Sequence, residues 1–128
     1  MSSFTNPLEV KKLKKGKWLL LKTFEYHVGK EDSSEVIVVE KGSISDGASI
    51  PRFLWSIVGH PMDEYAQAAF VHDKLYTEKF YSRKRCDQIF LEGMAVLKVA
   101  LWKRRIMYRA LRMFGWWAWG KRKNGNKR

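Results

Sequence analysis

One cysteine, Cys86, occurs in 128 residues. A lone thiol closes no internal disulfide, which excludes the stapled scaffolds of small secreted proteins and points to a reducing compartment. Apolar runs are short. None approaches the roughly 20 residues that span a bilayer, so any meeting with a membrane takes place at its surface. The opening Met1-Ser2-Ser3-Phe4-Thr5-Asn6-Pro7 lacks the charged-then-apolar pattern of a secretory signal. Metal-ligand spacings are lacking too: His60, His72 and Cys86 form no zinc motif, and that site is rejected. Acidic residues are missing from one end. Residues 103–128 hold ten Lys or Arg and no Asp or Glu, whereas the preceding 102 residues hold 15 basic and 13 acidic ones. The net charge of +12 is therefore a property of that end and concerns its partner more than the fold.

What remains is enough for one core. The chain is 45% hydrophobic, and its length fits one domain, not a large multi-domain enzyme. Residues 1–16 read as a flexible basic segment, 17–119 as a single α+β domain, and 120–128 as a basic tail. Residues 18–28, with Leu19, Leu21, Phe24 and Tyr26, read as a strand of imperfect alternation. Val36-Ile37-Val38-Val39 is a β-branched run. A polar, Gly-containing loop between them predicts an antiparallel hairpin. Such a hairpin needs a covered face, expected to be Leu19, Leu21, Val36 and Val38. About four helices follow. A short one lies over Phe53, Leu54, Trp55, Ile57 and Val58, with Pro51 in its first turn. A second runs from Asp63 to about Glu78, and a third from Arg83, capped by Ser82, to about Ala100. The fourth runs from Leu101 to about Trp117 with Trp102, Ile106, Ala110, Met113 and Trp117 on its packed side.

Chemistry concentrates at His72-Asp73 on the second helix and Asp87 on the third. Ionisable groups on apolar helices need partners, because burial without one costs several kcal/mol. Tyr76 lies one turn after His72. With the two helices antiparallel, Asp87 can accept from one His72 ring nitrogen, fix the tautomer, and leave the other nitrogen as a base. Asp73 projects about 100° away, toward the 46–49 loop. Its carboxylate with loop carbonyls at Gly47, and with Asp46, makes a candidate calcium site.

His72-Asp73-x-x-Tyr76, followed by Asp87-x-x-Phe90, resembles the catalytic helix pair of the phospholipase A2 superfamily, closest to its bacterial and parvoviral-capsid members. The resemblance covers residues 66–94. It implies that His72 is the general base, that Asp73 binds calcium, that Asp87 orients His72, and that Tyr76 supports them. The loop departs from that superfamily's glycine-rich calcium loop, having only Gly47 between Ser45 and Ser49 and adding Asp46. A second resemblance runs over residues 18–117. Ser45-Asp46-Gly47-Ala48-Ser49-Ile50-Pro51-Arg52, Val71-His72-Asp73-Lys74-Leu75-Tyr76, Arg83, Asp87, Phe90, Met94 and the Trp/Tyr-rich last helix are similar to an uncharacterised family of tailed bacteriophages and prophages. It implies a phage origin, in the bacterial host cytoplasm or the virion, and carries no activity.

The leading expectation is a phage-encoded, cation-assisted hydrolase of lipid ester bonds. Arg52 and Arg83 are the candidate anion or headgroup ligands. Trp116, Trp117, Trp119, Lys121, Arg122 and Lys123 are the candidate surface for anionic membrane or another polyanion. Its rival is a non-enzymatic virion, tail-associated or host-interaction protein, with other virion proteins as its expected partners, whose His-Asp pair is a buried network joined to Arg52 or Arg83. In that rival Asp46 closes a turn and Ser49 caps a helix. A third reading is sequence-independent nucleic-acid binding through the basic end.

Overall fold

The computed structural model describes residues 3–5, 7–13, 17–29, 34–45, 50, 52–59 and 65–121. The fold is α+β: among the described residues six short strands precede the helices. The strands are β1 (Ser3–Phe4), β2 (Val10–Lys12), β3 (Trp18–Leu20), β4 (Phe24–His27), β5 (Val36–Val39) and β6 (Ile44–Ser45). They form two antiparallel three-stranded sheets, ordered β1-β4-β5 and β2-β3-β6. A single 3-10 turn, Arg52–Leu54, leads into α1 (Trp55–Val58), and α2 (Ala66–Glu78), α3 (Arg83–Val96) and α4 (Leu101–Lys121) follow.

The expected hairpin is β4–β5, with Phe24 opposite Val39 and Tyr26 opposite Ile37. These four side chains are buried, while Leu21 and Val36 are exposed. The covered face is thus the opposite of the expected one. Side chains alternate with period two, so a one-residue error inverts every assignment. The error began at residues 18–28, which are not one strand: β3 and β4 belong to different sheets, separated at residues 21–23. The segment expected to be loose also carries structure, since β1 pairs with β4 and β2 with β3. Phe4 packs against both buried clusters.

Helix α2 is enclosed nearly all round, with ten of its thirteen residues buried. On one side Phe70, Val71, Leu75 and Tyr76 join Leu20, Phe24, Tyr26, Ile37 and Val39 of the sheets. On the other, Ala68 and Ala69 join Phe90 and Met94 of α3 and Met107 and Leu111 of α4. Helix α3 begins as expected, with Ser82 Oγ accepting from the Arg85 amide at 3.1 Å. It ends at Val96, short of Ala100. Lys98 adopts φ 64°, and the Lys98 and Val99 amides donate to the Ala95 and Met94 carbonyls, a left-handed close of the helix.

Helix α4 corrects a second expectation. Its packed side is Met107, Ala110, Leu111 and Ala118, whereas Trp102 and Met113 are exposed. Of the expected Trp102, Ile106, Ala110 and Met113, only Ala110 is buried, and Ile106 is half-buried. Among the described residues no helix is long and apolar enough to cross a membrane.

Candidate active site

Helices α2 and α3 are antiparallel: Tyr76 of α2 meets Asp87 of α3, and Ala68 faces Gly93. A Cβ on Gly93 would stand 3.3 Å from the Ala68 Cβ, so the small residue sets how closely the helices approach. That closeness brings His72 Nε2 to 2.8 Å from Asp87 Oδ1. A carboxylate only accepts, so Nε2 carries a proton, and in the neutral ring Nδ1 is then the nitrogen with the lone pair. Among the described residues Nδ1 is buried without a hydrogen-bond partner. The ring is wedged between Tyr76 and Phe90, with centroids 4.1 and 5.1 Å away, and no part of the side chain reaches solvent.

Asp87 is the hub. Tyr76 Oη donates to its Oδ1 at 2.7 Å, and Arg112 Nη1 donates to its Oδ2 at 2.8 Å. Arg83 Nη1 lies 3.8 Å from Oδ2. Burial pushes the Asp87 carboxyl up, but the hydrogen bond and charge of His72, then the Tyr76 and Arg112 bonds, outweigh it and hold it below the usual carboxylate range. Tyr76 moves the other way: burial first, then its bond to Asp87, keep the phenol protonated well above its ordinary range. Burial likewise lifts the Cys86 thiol to about 12, which makes it an inert core residue.

Asp73 lies on the other side of α2 and meets β6. Ser45 Oγ donates to Asp73 Oδ2 at 2.5 Å, and both residues are buried. Ser45 immediately precedes the loop expected to share a cation with Asp73. Asp46 and Gly47 lie outside the described residues. Among the described residues no three His, Cys, Asp or Glu converge on a metal position. Asp73 alone is far short of the six to eight oxygens calcium takes.

The expected set His72, Asp87 and Tyr76 is therefore brought together. Arg83 is not an open anion ligand: it donates to the carbonyls of Leu111 at 2.9 Å and Arg112 at 3.3 Å, tying α3 to α4. Arg52 falls in the 3-10 turn. Trp116 is exposed, whereas Trp119 is half-buried. It packs on the core and meets the Tyr76 ring edge-on at 5.2 Å, with the Lys79 ammonium 4.4 Å from its own centroid. Trp117 and Lys121 lie in α4; Arg122 and Lys123 fall outside the described residues.

Three residues of the site escaped the sequence reading. Arg112 is one of the ten basic residues of 103–128, with nothing in the sequence to separate it from Arg105 or Arg109. Ser45 entered only as the first residue of the motif shared with the phage family. Gly115 is the third: a Cβ there would stand 2.7 Å from Tyr76 Oη and 2.9 Å from Arg83 Nη1. The one available signal was a glycine inside an otherwise continuous helix, which marks close approach of another group.

A family model described as protein of unknown function (DUF1353) matches residues 18–111, taking in His72, Asp73, Tyr76, Arg83 and Asp87. The chain is also similar to "Uncharacterized protein y4jT" of Sinorhizobium fredii (strain NBRC 101917 / NGR234), 36% identical over 78 residues. The aligned part is 60% of this chain and 23% of that protein, so the chain spans less than a quarter of the curated relative it matches. No solved structure matches the chain.

Proposed function

The chain belongs to the DUF1353 family, and from that premise we propose that it is a phospholipase A2-like hydrolase of lipid ester bonds with His72 as general base. One observation carries this reading. His72 is held through Nε2 by Asp87, while its Nδ1 lone pair is buried with no hydrogen-bond partner. A buried acceptor left unmet costs about 1–3 kcal/mol; His27 Nδ1 is also buried and unmet, but among the described residues His72 alone sets its other nitrogen on a fully buried carboxylate.

The chemistry follows from the wiring. Nδ1 takes a proton from water as the water oxygen attacks the ester carbonyl, and the proton passes to the departing alcohol. Asp87, kept ionised by Arg112 and Tyr76, stabilises the transient imidazolium. The aromatic clamp of Tyr76 and Phe90 fixes the ring plane. The imidazole is enclosed, so turnover requires that lipid binding admit water and ester to Nδ1. A calcium ion is part of the proposal: Asp73 with Asp46 and Gly47 would hold it, and it would supply positive charge for the developing oxyanion. The phage-family resemblance supports an origin in a tailed phage or prophage.

A second reading rests on its own observation: His72, Tyr76 and Asp87 are all fully buried and Asp87 is closed off by Arg112 and Arg83. On that reading the cluster pins three helices together in a non-enzymatic virion or host-interaction protein. The test offers phospholipid vesicles to the full chain with and without calcium. The hydrolytic reading expects fatty-acid release that requires calcium and is abolished by His72→Ala and by Asp73→Asn. Absence of release by the wild-type chain overturns it. The structural reading expects His72→Ala to lower unfolding stability by about 1–3 kcal/mol with no turnover in either protein.

A further inference from the structure

Helix α4 has an outer face that the fold leaves uncovered. Trp102, Arg105, Arg109, Met113 and Trp116 follow one another at steps of three or four residues. At 100° per residue they fall within about 80° of arc, along about 21 Å of helix. All five are exposed. Trp102 is 52%, Met113 64% and Trp116 63% accessible, and the buried Met107, Leu111 and Ala118 mark the opposite side. A helix whose inner stripe already packs the core has no folding need for a second apolar stripe.

The charge around that stripe has one sign. No Asp or Glu follows Glu92 anywhere in the chain. We infer that this face of α4 is a docking surface for an anionic lipid bilayer, with the helix lying in the plane of the interface. Indoles favour the headgroup level, guanidiniums meet lipid phosphates, and the Met113 thioether reaches the acyl boundary between them. A second copy of the chain is a poor occupant, since it would set Arg105 and Arg109 against like charge. A nucleic-acid backbone would answer the arginines but leave the methionine beside the indoles without a partner. The docking face deepens the hydrolytic reading by naming where the lipid surface is met. It is read by binding alone, so failure of docking and failure of hydrolysis are separate results.

The full chain is sedimented with vesicles of phosphatidylcholine alone or mixed with phosphatidylglycerol, and tryptophan emission is recorded. Docking predicts a blue shift and binding at least about tenfold tighter to the anionic vesicles. Trp102→Ala/Trp116→Ala and Arg105→Glu/Arg109→Glu should each weaken that binding by about tenfold or more, with circular dichroism and unfolding midpoint unchanged. Lys121→Gln/Lys123→Gln should weaken it less than either. The inference falls if the anionic vesicles are not bound, if the outer-face variants bind as the wild type does, or if loss is confined to the Lys121/Lys123 variant. It also falls if a single-stranded oligonucleotide is bound more tightly than the vesicles, or if a dimer forms that the same substitutions dissolve.

Discussion

Helices α2 and α4 are both rich in apolar residues and meet at one polar cluster, yet they solve opposite problems. Helix α2 is buried on nearly every side, so each of its polar groups must find a partner inside the protein. His72 finds Asp87, and Asp73 finds Ser45. Helix α4 buries one stripe and shows water another that is both aromatic and cationic. On the proposed reading, chemistry sits on the enclosed rod and recognition on the coating one. Arg112 and Gly115 join them, the first by reaching Asp87 and the second by letting α4 come close to Tyr76 and Arg83.

The comparison breaks hardest at Asp87. Asp87→Ala should lower stability by about 3–5 kcal/mol in urea unfolding, because it strands a guanidinium, a phenol and an imidazole that share one carboxylate. Leu111→Ala, on the inner stripe of α4, should cost about 2–5 kcal/mol by leaving a cavity. Gly115→Ala should cost about 1–3 kcal/mol through overpacking against Tyr76 and Arg83. Gly120→Ala, where a Cβ meets nothing within 4 Å, should be neutral or stabilise by up to about 1 kcal/mol. Met113→Ser, on the outer stripe, should stay within about 0.5 kcal/mol of wild type. A large loss there would mean that the outer stripe is packed and the contrast between the helices false.

The same contrast can be sharpened with pH. Asp87 titrates lower in the folded chain than in the unfolded one, so its contribution is present above the ordinary carboxylate range and is lost as pH falls through its folded value. Tyr76 titrates higher when folded. Its contribution is complete below about pH 10, the unfolded phenol value, and is lost as pH rises beyond it. Unfolding midpoints followed across acid and alkaline limbs should show both losses. Tyr76→Phe should reduce the alkaline one.

Much of the candidate site was legible because helical spacing is a strong local constraint. A His and a Tyr four residues apart share a face, and an Asp near the start of the next helix meets them once a four-residue link, 79–82, forces an antiparallel return. The strands were less legible. Residues 18–28 carry enough apolar side chains for one strand, and only the pairing of β3 with β2 and β6 shows that the chain changes sheets at residues 21–23. The packed side of α4 was misassigned for a related reason. With Trp, Met, Leu and Phe on both sides of the helix, composition does not say which side is covered.

By itself the sequence determined the α+β order of elements, the start of α3 at Ser82, and the shared helix face of His72 and Tyr76, because each follows from spacing along a single chain. Tertiary structure alone decided which strand face is buried, that Arg112 and Arg83 close around Asp87, and that α4 turns Trp102 and Trp116 outward. Those outcomes depend on which surfaces from distant parts of the chain exclude water together, and no local pattern encodes that choice.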